Sequence, residues 1–136
     1  MNKTLTNFEI LRANQAIGQL NENKFSTSTA FKLASIAKSL SEAIETYEEQ
    51  GKKLFDKHAK KDENGEYLHP TDDEGNELKN RVDLKDPEKF NEDMNDLGQE
   101  EVKINFKVNT SPEMFDDEDV KIKIEVLVPL LSIFED

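Results

Sequence analysis

Cysteine and tryptophan are absent from this chain of 136 residues, and histidine occurs twice. Without thiols there are neither disulfides nor thiolate metal centres, and no redox compartment is implied. His58 and His69 stand alone, without the spacing of a zinc site or an HExxH pattern, so both read as structural residues. No GxSxG elbow and no glycine-rich phosphate loop occur, which sets aside the familiar serine hydrolases and P-loop enzymes. The segments Asp62–Gly65 and Asp72–Gly75 resemble calcium loops only faintly. They lack the alternating oxygen ligands and the closing glutamate, so ordinary acidic turns are expected. No apolar run approaches the ~20 residues that span a bilayer, and no signal-peptide pattern is present, so an intracellular protein is expected.

Positive charge is scarce as well. Eighteen Lys and Arg face thirty Asp and Glu, a net charge of −12. Such a surface disfavours binding a nucleic-acid backbone and suits a basic protein partner or imitation of DNA. A length of 136 residues implies one domain, residues 1–136, with a modest core, and hydrophobic and charged shares of 35% each leave little apolar material spare.

Residues 27–60 dominate what is there. Ala30, Leu33, Ala37, Leu40, Ile44, Tyr47, Gly51, Leu54 and His58 follow one another at steps of three and four, a heptad seam. The helix it predicts is roughly 50 Å long and is capped by Ser26, Thr27 or Ser28. A seam that long exceeds what a small domain covers. Leu33, Ala37, Leu40, Ile44, Tyr47, Gly51 and Leu54 are therefore expected to form an interface in a homo-oligomer. Gly51 reads equally as a tolerated glycine and as room for a second helix. Beyond Tyr47 the helix is charged nearly all round, with Glu48–Lys52 and Glu49–Lys53 as i,i+4 pairs.

A shorter amphipathic helix over 6–21, capped by Thr6, precedes it and folds back at a polar break over 21–24, with Phe25 and Phe31 stapling the corner. Residues 61–85 form a polar region with turns at Asn64-Gly65 and Gly75-Asn76, and a weak hairpin joins Glu66–His69 to Glu77–Leu84. The third part, 86–136, opens with a helix started by Asp86 and Pro87 and ended by Gly98 as a left-handed cap. Val102, Ile104, Phe106 and Val108 then alternate with polar residues, as do Val120, Ile122, Ile124 and Val126 after the acidic run Asp116–Asp119. This pattern predicts an antiparallel strand pair with one buried face. On its other face Lys103, Lys107, Lys121 and Lys123 would gather. Four amines together could hold an anionic small ligand such as a nucleotide-like phosphate, or simply protect strand edges from aggregation. The apolar tail, LVPLLSIFED, is expected to form a turn of helix that docks or reaches a partner.

The fold class expected is α+β: a helical hairpin with one long helix, a third short helix and a small antiparallel sheet. No cofactor and no metal is implied. FSTSTAFKLASIAKSLSEAIETYEEQGKKLFDKHAKKDENGEYL and DPEKFNEDMNDLGQEEVKINF, with the short helix before them, resemble a group of small proteins encoded by tailed bacteriophages. The similarity covers most of residues 6–108 and includes no catalytic residues. It implies a protein of the infected host's cytoplasm or of the virion. Two roles follow: a non-enzymatic accessory protein that binds and blocks or sequesters a host component, or a minor structural or assembly protein of the particle. An enzyme of unrecognised type is the third.

Overall fold

The first residues of the chain decide the sheet. A computed structural model describes residues 1–116 and 118–134; Asp117 of the acidic run and Glu135 and Asp136 of the tail lie outside it. Strand β1 (Asn2–Thr6) pairs antiparallel with β2 (Glu101–Asn105), setting Leu5 opposite Val102 and Lys3 opposite Ile104. Helices α1 (Asn7–Leu20), α2 (Thr27–His58), α3 (Pro87–Gln99) and the single turn α4 (Ile124–Leu127) complete an α+β fold, with short 3-10 turns at Pro112–Phe115 and Val128–Leu130. Packing divides the chain into two compact units: Met1–Tyr47 with the chain from Gly98 onward, and Glu48–Leu97.

In the first unit, Thr6 ends β1 and starts α1. Its hydroxyl accepts from the Glu9 N–H (3.1 Å), and the Glu9 carboxylate accepts from the Thr6 N–H (2.9 Å), a reciprocal capping box. Ser26 caps α2 in a similar way, its hydroxyl accepting from the Thr29 N–H. Leu5, Ile10, Ile17, Leu20, Leu33, Ile36, Leu40, Ile104 and Phe106 meet in one core. Phe25 lies against Phe115 (ring centroids 5.8 Å apart). Phe31 staples nothing: it sits on the far side of α2 and is 73% exposed.

The second expected strand does not form. Val120–Lys123 has no regular structure and Ile124 begins a helical turn. The segment carries two periods at once. Alternation runs through Val120–Val126, but Ile122, Val126, Leu130 and Ile133 recur at helical spacing, and these are the residues that meet the core. The helical set reaches the apolar tail, so it buries more surface, while β1 supplies the partner that β2 needs. The tail docks on its own chain: Leu130, Ile133 and Phe134 are buried, and the Thr110 hydroxyl donates to the Ile133 carbonyl. Gly98 is a second correction. It lies inside α3 without a positive φ, and a Cβ there would overlap the Phe8 ring. Close packing therefore explains this glycine.

In the second unit, Asp86 and Pro87 start α3 as expected, with the Lys89 N–H donating to the Asp86 carboxylate (3.2 Å). A Cβ at Gly51 would sit 3.6 Å from the Met94 side chain of α3, an ordinary contact, so no close helix approach requires this glycine and it reads as tolerated. Neither Glu48–Lys52 nor Glu49–Lys53 closes to ion-pair distance; the pairs formed among the described residues are those of His58, Lys61 and Lys89 with acids. The expected hairpin is replaced by single bridges, Ala59 to Leu84, Lys61 to Tyr67 and Thr71 to Glu77. Two copies of one turn account for them. In each copy an aspartate, Asp62 or Asp72, accepts two backbone N–H bonds on its carboxylate, from residues two and four further on. Gly65 (φ 81°) and Gly75 (φ 84°) supply the left-handed position that an L side chain resists. Ten residues separate the copies, and Leu68 and Leu78 bond backwards with equal reach, to Lys60 and Pro70.

Candidate functional site

Ala30, at the start of the seam, is exposed, and from Leu33 onward the seam is internal along the first unit. Leu33 and Leu40 are buried, and Ala37 and Ile44 are packed against the core. Tyr47, and in the second unit Gly51 and Leu54, are half-buried. The heptad steps are met by α2's own neighbours, so the open face from which an oligomer was expected is closed where the seam is most apolar.

The four lysines divide. Lys121 and Lys123 lie in the irregular segment before α4, in a recess that also holds Glu22 and Glu125. Carboxylates beside the amines leave that recess with little net charge. Lys103 and Lys107 lie elsewhere, on β2 and just past its end, in a groove of about 410 Å³ between β2 and α2. Lys38 joins them from α2, with Ser35 and Ser39 one turn apart on the same side. Asn105 adds an amide and Glu42 one carboxylate; Ala43, Val102 and Ile104 form the apolar floor.

The side that each residue takes on its own element is legible locally. Ser35, Lys38, Ser39 and Glu42 recur at helical spacing on one flank of α2, beside the buried stripe of Leu33, Ile36 and Leu40. Lys103 and Asn105 alternate with the inward Val102 and Ile104. Among the described residues, Lys38, Lys103 and Lys107 form no ion pair. Ser39 donates to the Ser35 carbonyl (3.3 Å), which leaves its oxygen lone pairs and the whole Ser35 hydroxyl available. In a chain of net charge −12, three unpaired amines and two hydroxyls around one groove make a local site for an anion. Nothing in the sequence singles out Lys38, Ser35 and Ser39, because a helical period does not say which strand its flank will meet.

Several other titratable groups are engaged with the fold. His58 Nε2 lies 2.7 Å from Asp93 Oδ2, with Lys89 3.4 Å from the other oxygen. The bond from His58, then Lys89, holds the Asp93 carboxyl below the usual carboxylate range. His69 Nδ1 is bonded to the Arg81 carbonyl. Hydrogen bonds from Lys61, then Tyr67, lower Asp56, and the Tyr67 hydroxyl is pushed up by the bond it donates. A wider recess of the second unit, about 730 Å³, is lined by Asp56, Asp62, Glu66 and Glu77 beside His69 and Lys79. Asp56 and Asp62 already serve the turns there. In the first unit the Glu118 carboxylate accepts from the Ser26 hydroxyl and N–H at the start of α2, which lowers it in turn. No cluster of metal-ligating side chains exists among the described residues, and no helix is long and apolar enough to cross a membrane. No protein-family model, curated protein or solved structure matches the chain.

Proposed function

We propose that this is a non-enzymatic accessory protein of a tailed bacteriophage, which binds a component of the host cell and blocks or sequesters it. The observation that carries the reading is the groove of Lys38, Lys103 and Lys107: among the described residues, three amines without an ion pair in an acidic protein. Such a groove suits an anionic partner held by charge and hydrogen bonds. The phage setting rests on the pattern resemblance in residues 6–108, and the cytoplasm of the infected cell is the place of action. Overall charge sharpens the selection. At physiological salt the Debye length is ~8 Å, so a compact anion in the groove meets mainly lysines, whereas a long polyanion also meets the acidic surroundings.

The runner-up is a minor structural or assembly protein of the particle. Ile124, Val128 and Leu131 favour it: three exposed apolar side chains at helical spacing on the C-terminal turns, a surface that assembly would cover. Self-association would use that stripe in place of the seam.

Recovery of tagged protein from infected cells tests the proposal. A component that co-purifies with the wild type and is lost from a Lys38→Glu, Lys103→Glu, Lys107→Glu variant is the expected result. A component retained equally by both would reject the groove, and finding the protein in purified virions would favour the runner-up.

A further inference from the structure

We infer that the groove takes its partner as an extended acidic peptide that adds a third strand to the open edge of β2. This rests on the groove being the binding site. Backbone geometry leads to it. At the ends of the ladder the Phe106 N–H donates to the Met1 carbonyl (2.8 Å) and the Asn7 N–H to the Glu100 carbonyl (3.1 Å). Bonded and non-bonded pairs alternate in an antiparallel ladder. Val102 and Ile104 therefore bond to β1, and the N–H and C=O groups of Glu101, Lys103 and Asn105 point the opposite way. Among the described residues no further strand meets them.

The groove lies along that edge. Val102 and Ile104 point to one face of β2, Lys103 and Asn105 to the other, and all four line it. Side chains of opposite faces share a groove only along the strand's edge. An added strand would find main-chain partners at every second residue, the recognition mode of sheet augmentation.

Lysines choose the occupant. Two copies pairing through β2 would bring Lys103 and Lys107 against their own kind, so the edge resists self-pairing. The same charges, with Lys38 across the groove, accept a strand bearing carboxylates. A small phosphate would engage the amines and leave the edge groups to water.

The test uses the full-length, isotope-labelled protein and a blocked hexapeptide alternating glutamate with valine. Titrations at low and moderate salt should show binding that weakens as salt rises. Amide exchange at Glu101, Lys103 and Asn105 should slow on binding, while Val102 and Ile104, already bonded, change little. Methylating alternate peptide nitrogens should lower affinity about tenfold or more. Lys103→Glu with Lys107→Glu should cost about tenfold. Lys38→Glu, on α2 and outside the strand, gives the same readout if the strand variant folds poorly. Equal binding by the methylated peptide, by a lysine–valine peptide, or without slowed exchange at the edge overturns strand addition. Binding of inorganic pyrophosphate that these variants abolish, with no peptide binding, overturns it too and leaves the anion groove standing. Binding of neither probe rejects both.

Discussion

The two units of this chain are held together by different means. In the first, fifteen buried apolar residues form one cluster drawn from β1, α1, α2, β2 and the C-terminal turns. The second buries only two apolar side chains, Ala59 and Leu97, among the described residues. Charge is the reason. Residues 48–97 hold sixteen acids and nine bases, half of that stretch, so little apolar surface remains to remove from water. What holds the second unit is local: two aspartate-locked turns, the Phe55 ring edge-on to Tyr67 and Phe90 (centroids 5.5 and 6.1 Å), and the His58–Asp93 bond. Segments with few buried contacts open at lower free energy than a shared core does. Amides of the second unit are thus expected to exchange before those of α1 and β2.

The largest effect should come from the core. Leu40→Ala removes a fully buried side chain from the first unit and is expected to cost about 2–5 kcal/mol, seen as a lower denaturant midpoint. If the second unit then kept its ring-proton shifts while the first unfolded, the two units would be independent; joint loss would show that one transition covers both. Gly98→Ala comes next. The new methyl would overlap the Phe8 ring, and repacking is expected to cost about 1–3 kcal/mol. Unchanged stability in Gly98→Ala would mean that Phe8 rotates away freely.

Acid should single out the second unit. Asp93 has its folded pKa held down, by His58 first, so it contributes stability above its unfolded value and loses it as pH falls through the folded one. Asp56 acts in the same sense through Lys61. The ring signals of Phe55 and Phe90 should therefore change below about pH 4. Asp93→Asn should flatten that dependence while leaving the first unit's, through Glu118, in place. An unchanged acid profile in Asp93→Asn would count against the pair as the second unit's main electrostatic tie.

The smallest effect is at Gly51. The contact with Met94 is ordinary, so Gly51→Ala should gain helix propensity, roughly 0.5–1 kcal/mol of stabilisation. Thermal melting would check it, and a loss would mean that α3 packs more tightly on α2 than this contact suggests.

Local chemistry makes much of the chain readable from its residues alone. The heptad steps mark α2 to within two residues of its end, Thr6 and Asp86 mark where α1 and α3 begin, and Asn64-Gly65 and Gly75-Asn76 mark two turns. Each is a matter of periodicity or of backbone groups satisfied within a few residues, and neighbouring side chains decide it. The tenfold spacing of Asp62 and Asp72, of Gly65 and Gly75 and of Leu68 and Leu78 is a further signal, that of the repeated turn.

Pairing across the chain belongs to the tertiary structure alone. β2 takes β1 as its partner, although nearly a hundred residues separate them and the chain Val120–Val126 alternates as well. Alternation says which faces a strand has but not which other strand will lie beside it; that choice follows from the total apolar surface buried, to which α2 and the C-terminal turns contribute. The lysines follow suit. Lys103 and Lys107 stay with the strand, Lys121 and Lys123 leave with the helical turn, and Lys38 arrives from a helix flank, because charged side chains go where the buried residues beside them are drawn.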